Sequence, residues 1–174
     1  MIIYGNTVLL RAIESEDNEL LLSMINDPET EQMVGGSSWP VSKEDQKRWF
    51  EQQIGNKGSV LRCMIVRKDD EQAVGTVILS NIDQKNGTAE IHIKIVNNEF
   101  RGHGYGKDAI ATMVQYAFDE MRLNCIYSVV LVHNEASARL FERAGFSKEG
   151  ILRERIYKCG HYLDQFSYLI TRRG

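Results

Sequence analysis

The stretch from Thr88 to Val132 constrains this chain more than any other. Thr88–Val96 alternates, with Ala89, Ile91, Ile93 and Ile95 on one face and Glu90, His92 and Lys94 on the other. That is the period of a half-buried strand. A glycine-rich run follows, Arg101-Gly102-His103-Gly104-Tyr105-Gly106-Lys107, and Ala109, Ile110, Met113, Val114, Ala117, Phe118 and Met121 then recur at helical spacing. Cys125–Val132 reads as a short apolar strand. Strand, helix and strand in series imply a parallel crossover.

Other segments surround this unit. Val8–Ala12 reads as a first strand, Glu14–Asn26 as a helix that Asp27-Pro28 ends or redirects, and Ser42 as the N-cap of a helix through Gln53. Val60–Arg67 and Ala73–Asn81 read as strands, and Asn86-Gly87 as the hairpin turn leading into Thr88–Val96. Ala136–Ala144 is a short helix stopped by Gly145, and Phe146–Tyr157 and Tyr162–Thr171 flank the turn Lys158–His161. The expected fold class is α/β: a mixed, mostly antiparallel sheet with one βαβ crossover and flanking helices. At 174 residues the chain suits a single domain, 1–174.

The glycine-rich run carries the chemistry. Alternate glycines remove Cβ atoms and let a ligand approach the backbone. The first N–H groups of the following helix point outward unpaired, and with the helix dipole they suit a phosphate. Arg101 and Lys107 add positive charge. A Walker A loop is excluded by the glycine spacing and by Asp108 where a magnesium-binding Ser or Thr belongs. A dinucleotide fingerprint needs G-x-G-x-x-G, and this run is G-x-G-x-G.

Composition removes other classes. Lys plus Arg number 21 against 24 Asp plus Glu, a net charge of −3, which offers no bulk attraction to nucleic acid or anionic membrane. No apolar run reaches transmembrane length and the N-terminus lacks a secretory pattern, so a cytoplasmic location is expected. Cys63, Cys125 and Cys159 form no CxxC pair and read as buried small hydrophobes rather than nucleophiles or metal ligands. No metal site is expected.

Arg-x-x-Gly-x-Gly after a strand resembles the acyl-CoA pyrophosphate loop of the GCN5-related N-acetyltransferases. Asn134-Glu135-Ala136-Ser137-Ala138-Arg139-Leu140-Phe141-Glu142-Arg143-Ala144-Gly145-Phe146 resembles the second signature of that family, an Asn followed by a short helix ending in Gly-Phe. The tail, Glu149–Glu154 and Lys158–Asp164, is similar to the ribosomal-protein- and spermidine-acetylating branch. The resemblance implies transfer of an acetyl group from acetyl-CoA to a primary amine by direct attack in a ternary complex. The acceptor would be a protein N-terminus, a polyamine, an amino sugar or a small metabolite, and a homodimer is compatible with the branch.

Residue by residue, the resemblance implies that Lys94, Ile95 and Val96 bond the pantetheine arm through their backbone. Arg101, Gly102, His103, Gly104, Tyr105, Gly106 and Lys107 would hold the pyrophosphate, and Asn134 the pantetheine or the chain near it. A main-chain N–H near Ile95 would polarise the thioester carbonyl. Glu90 is the candidate base, by way of water, with His92 on the same face as a possible relay. A straight strand puts Glu90 roughly 15–18 Å from the Ile95 amide, so only a water chain or a bulge would connect them. Ser137 is the candidate acid for the leaving thiolate, because Phe141 stands where many relatives carry Tyr. Alternatively, Glu90 and Ser137 are a surface acid and a helix-start residue. The acceptor pocket is expected from Asn26–Phe50 and the closing hairpin, with Trp39, Trp49, Tyr157 and Tyr162 as walls and Glu29 and Glu31 near a cationic amine. Two other functions fit the same loop: a transferase using another acyl-CoA such as succinyl-CoA, or a non-catalytic acyl-CoA-binding sensor or scaffold.

Overall fold

Eight strands form one sheet in the order β1-β2-β3-β4-β5-β6-β8-β7. The computed structural model describes residues 1–36, 39–53, 55–56 and 58–174. The strands are β1 (Ile3–Tyr4), β2 (Val8–Arg11), β3 (Leu61–Arg67), β4 (Ala73–Asp83), β5 (Thr88–Ile95), β6 (Cys125–Leu131), β7 (Ser147–Lys158) and β8 (His161–Thr171). The helices are α1 (Asn18–Ile25), α2 (Pro28–Met33), α3 (Lys43–Gln53), α4 (Asn97–Phe100), α5 (Tyr105–Asp119) and α6 (Glu135–Arg143). Every neighbouring pair is antiparallel except β5 and β6, the strands joined through α5.

The period-2 pattern of the strands sorts residues onto two covered faces. Leu10, Ile65, Val77, Ala89 and Ile91 pack with the stripe of α5, in which Ala109, Ile110, Met113 and Ala117 are fully buried. Each large side chain buried this way contributes about 1.5–3 kcal/mol. On the opposite face Met64 and Val66 meet Ile13, with Leu20, Leu21 and Phe50 packed around them from α1 and α3. Asp108 ties α5 to the first hairpin. Its carboxylate accepts the amides of Asn6 (3.1 Å), Thr7 (2.7 Å) and Val8 (3.0 Å), and the Thr7 hydroxyl.

Local structure departs from expectation in several places. The stretch from Glu14 begins as a 3₁₀ turn, Ser15–Asp17, because Asp17 is held by a bidentate pair with Arg11 at 2.7 and 2.8 Å. Pro28 does not only end α1: it opens α2, with Asp27 as N-cap accepting the Thr30 amide at 2.9 Å. β4 runs past Asn81 to Asp83 through a register shift, and Asn81 itself adopts φ 50°. Of the Asn86-Gly87 pair only Gly87 has positive φ, while Asp83 accepts the Asn86 amide. The turn after β7 is Cys159-Gly160, both left-handed at φ 49° and 83°. Cys159 is therefore exposed at a turn tip and Cys125 only half-buried, so the expectation of three buried cysteines holds for Cys63 alone. Among the described residues no helix is long and apolar enough to cross a membrane.

Candidate active site

β5 and β6 pair over only three residues, Thr88–Glu90 against Cys125–Tyr127, and then part. β5 continues to Ile95 along β4, and β6 to Leu131 along β8. The sheet therefore opens into a wedge whose β5 side carries Ile91–Ile95. Val96 N–H donates to Val74 O at 2.8 Å, which turns Val96 toward β4. Strand alternation then turns the N–H groups of Ile95 and Ile93 the other way, into the wedge. Lys94 and Ile95 are half-buried and Val96 is buried.

The glycine-rich loop lies at the mouth of this wedge. Gly102 and Gly104 have φ of 82° and 86°, and a Cβ on either would meet nothing within 4 Å. They are left-handed and open, as a cradle for a phosphate requires. Asp108 N bonds Gly104 O at 3.0 Å as the first intrahelical bond of α5, which leaves the amides of Tyr105, Gly106 and Lys107 without helical acceptors. Gly106 serves packing instead: its Cβ would lie 3.3 Å from Leu140 and 3.6 Å from Ile93, so it seats α5 between α6 and β5. Arg101 and Lys107 are exposed, Arg101 Nη2 stands 3.5 Å from Thr30 Oγ1, and the His103 ring stacks on Tyr105 at 5.8 Å.

Glu90, His92 and Lys94 line one face of β5, as the alternation implies. β5 pairs with β4 without a register shift from Glu90 to Ile95, so no bulge shortens the path between them. Glu90 stays about 17 Å along the strand from the Ile95 amide. Its carboxylate accepts from Asn81 Nδ2 at 3.0 Å and stands 3.8 Å from His92 Nε2, which also meets Ser80 Oγ at 2.8 Å. Desolvation lowers the His92 pKa, Glu90 partly offsets this, and Lys94 adds to the lowering. His92 is nonetheless 47% exposed, so it stands at the rim of the buried face. Burial also lowers the pKa of Lys94, with Lys158 contributing.

His92, Ile93 and Lys94 form one wall of a cavity of about 350 Å³ between β4–β5 and helices α1 and α3. Met24 and Ile25 of α1, Trp49 of α3 and Ile78 of β4 supply apolar walls, and Asp45 and Gln46 enter from α3. Of the expected aromatic walls only Trp49 is there. Trp39 is exposed, and Tyr157 and Tyr162 pack edge-to-face on each other at 5.0 Å, away from the cavity. Glu31 faces no cavity either. It pairs with the buried Lys158, whose Nζ also donates to Glu31 O at 2.7 Å, so the pair ties α2 to the closing hairpin.

The second signature forms the far side of the wedge. Asn134 caps α6 by accepting the Ser137 amide at 3.0 Å and donates Nδ2 to Met33 O at 2.8 Å, so both ends of its side chain are engaged within the protein. Ser137 is half-buried, and its hydroxyl makes no hydrogen bond among the described residues. Phe141, one turn on, is 2% exposed and packs against Phe146 at 5.1 Å and Tyr168 at 6.2 Å.

A family model described as an acetyltransferase (GNAT) domain matches residues 7–147. The chain belongs to the GNAT acetyltransferase family. The SPbeta prophage-derived uncharacterized N-acetyltransferase YokL of Bacillus subtilis (strain 168) is 30% identical over 168 residues, 97% of this chain and 92% of that one. The spermidine N(1)-acetyltransferase of Escherichia coli (strain K12) is 32% identical over 101 residues, 58% of this chain and 53% of its own. A structure of spermidine N-acetyltransferase from Vibrio cholerae, in complex with CoA and spermine, matches with a TM-score of 0.87 at 24% identity over 96% of each chain. At that identity the likeness speaks for the fold. This GNAT protein is an N-acetyltransferase, an enzyme of a family that takes acetyl groups from acetyl-CoA.

Two features of this acetyltransferase were missed by reading the sequence. Gln46 is a largely buried polar residue that lines the cavity, yet in sequence it is one polar residue in a polar helix. Gly75 lies opposite Ile95, where a Cβ would stand 2.1 Å from Lys94 O, so only glycine lets β4 hold this end of β5. A lone glycine inside an apolar strand was the available signal for a close backbone approach.

Proposed function

We propose that this acetyltransferase moves the acetyl group of acetyl-CoA directly to a primary amine, with both substrates bound on β5. The observation that carries this reading is that one short stretch, Ile93–Ile95, borders both the wedge and the cavity. The backbone of Ile93 and Ile95, which faces the wedge, would bond the pantetheine arm. Lys94 and Val96 turn their backbone toward β4, and Val96 N–H is held by Val74 O, so the expected share of those two is not available. The amides of Tyr105, Gly106 and Lys107 would hold the pyrophosphate, with Arg101, Gly102, His103 and Gly104 completing the cradle. The residues present fit that donor, since Gly102 and Gly104 leave open the space a phosphate needs. Asn134 supports the site by capping α6.

An alkyl amine at neutral pH is mostly ammonium, so the site must first remove a proton. His92 is the better base: it borders the cavity, its pKa is lowered, and it is two residues nearer the Ile95 amide than Glu90. Glu90, at 3.8 Å, would stabilise the imidazolium that forms. The Ile95 N–H would stabilise the oxyanion as the amine attacks the thioester carbon. The carbon–sulfur bond then breaks, and Ser137 would deliver a proton to the thiolate.

Measuring kcat/KM against pH tests this assignment. His92→Gln should lower kcat/KM by about 10²–10⁴-fold. It should also remove the loss of activity that wild type shows as pH falls through the His92 pKa, which lies below the usual imidazole value. CoA affinity should be retained. A wild-type profile in His92→Gln together with loss of the same limb in Glu90→Gln would return the role of base to Glu90.

A further inference from the structure

The cavity on the α1–α3 side of β5 is built for a particular kind of amine. Its walls are mostly apolar: Met24, Ile25, Trp49 and Ile78 leave little polar surface. Two polar groups break this surface and lack partners among the described residues. Gln46 is only 5% exposed and lines the cavity; its amide forms no side-chain hydrogen bond among the described residues, and its polar atoms are not sealed from solvent. Lys94 is half-buried, and no carboxylate pairs with its ammonium. A partly desolvated cation without a partner is costly and is relieved by a ligand group of the right kind, and an amide open to the cavity can bond the same ligand. For Lys94 that group is an anion.

We propose that the acceptor is a free α-amino acid with an apolar side chain, its carboxylate on Lys94, its amine at His92, and its side chain against the apolar walls. This rests on the acetyl-transfer reading above and names its acceptor. His92 and Lys94 are two residues apart on one strand face, about 6.6 Å along the strand. Their side chains can therefore bracket groups as close together as the amine and carboxylate of one α-carbon. Gln46 is a further polar contact and orients the acceptor from α3. The cavity's 350 Å³ is at the small end of ligand pockets, which suits one residue rather than a long chain.

The same features oppose a polyamine. A second ammonium would enter an apolar space beside Lys94, and the one cavity carboxylate, Asp45, is already engaged by Ser42 Oγ at 2.8 Å and Arg48 Nη2 at 2.5 Å. Transfer itself balances without further reagents. The α-ammonium gives one proton to His92, nitrogen bonds to the acetyl carbon, and the carbon–sulfur bond breaks. The second proton that nitrogen sheds passes by way of Ser137 to the sulfur, so CoA leaves as the thiol and an N-acetyl amino acid remains.

The test measures CoA thiol release and acetylated product by mass spectrometry with L-leucine, L-phenylalanine, leucinamide, 3-methylbutylamine and spermidine. We expect kcat/KM for L-leucine to exceed that for leucinamide and for 3-methylbutylamine, which lack the carboxylate, by roughly 30-fold or more. Spermidine should be poorer still. In Lys94→Met the ratio of L-leucine to 3-methylbutylamine should collapse to about one, a comparison internal to the variant whatever its overall rate. Gln46→Met should raise KM for L-leucine more than KM for acetyl-CoA. Preference for spermidine, leucinamide or 3-methylbutylamine in wild type would overturn the inference while leaving acetyl transfer standing. No transfer to any amine by protein that binds acetyl-CoA would overturn both.

Discussion

Replacing Gly104 by Val separates what the loop costs the fold from what it gives to binding. Gly104 is the residue before α5, at φ 86°, with open space where a Cβ would be. An L-residue in that conformation costs about 1–2 kcal/mol, and valine, branched at Cβ, falls toward the upper end. For a chain of this size that is a drop in Tm of about 2–8 °C, with no clash to add to it. Binding loses more. The new side chain occupies the space in front of the Tyr105, Gly106 and Lys107 amides. If two charge-assisted hydrogen bonds to phosphate are lost, at about 1.5–3 kcal/mol each, affinity falls by about 3–6 kcal/mol, roughly 10²–10⁴-fold. Thermal melts and calorimetric titration with acetyl-CoA measure the two quantities on one sample. A folded Gly104→Val protein that binds acetyl-CoA with wild-type affinity would refute the assignment of this loop to the pyrophosphate.

Ser137→Ala should lower kcat by up to about 10²-fold with little change in Tm, because the hydroxyl supports no hydrogen bond among the described residues and Asn134 still caps the helix; an unchanged kcat would leave Ser137 a helix residue only. Asp108→Asn should destabilise at pH 7 by about 1–3 kcal/mol through weakened acceptance of the Asn6, Thr7 and Val8 amides. Burial raises the Asp108 pKa, but those amides outweigh it and hold the carboxyl below its usual range. The stabilisation is thus present above the unfolded carboxyl pKa of about 4 and is lost as pH falls through the lower folded value. Urea melts should show the gap between wild type and Asp108→Asn closing at acid pH, and a gap independent of pH would refute the role of ionisation.

The order of strands and helices was legible because hydrophobic period is a local property. Thr88–Ile95 alternates and Tyr105–Asp119 carries a helical stripe, and both formed where the pattern put them. The shape of the loop proposed for the donor was legible for a similar reason: left-handed glycines ahead of a helix act through backbone geometry that a few consecutive residues determine, as Gly102 and Gly104 show. Gly106 was legible as a glycine but not in its role, since its reason is Leu140, thirty-four positions away.

What the chain order could not reveal is which polar groups share a space. Glu90, His92 and Lys94 alternate alike in sequence, but His92 and Lys94 line a cavity with Gln46 against α1 and α3, His92 remaining 47% exposed, while Glu90 lies farther down beside Asn81 and Tyr127. Glu31 looked like an acceptor ligand until the closing hairpin brought Lys158 to it. Burial and pairing depend on elements far apart in the chain, and they decide both the protonation state of a side chain and whether it is free to meet a substrate. Sequence alone thus determined the fold class, the family and the open glycine-rich loop through local backbone and side-chain periodicity. The cavity proposed for the acceptor, with His92 and Lys94 in its wall, was decided only when tertiary packing brought α1 and α3 against one face of β5.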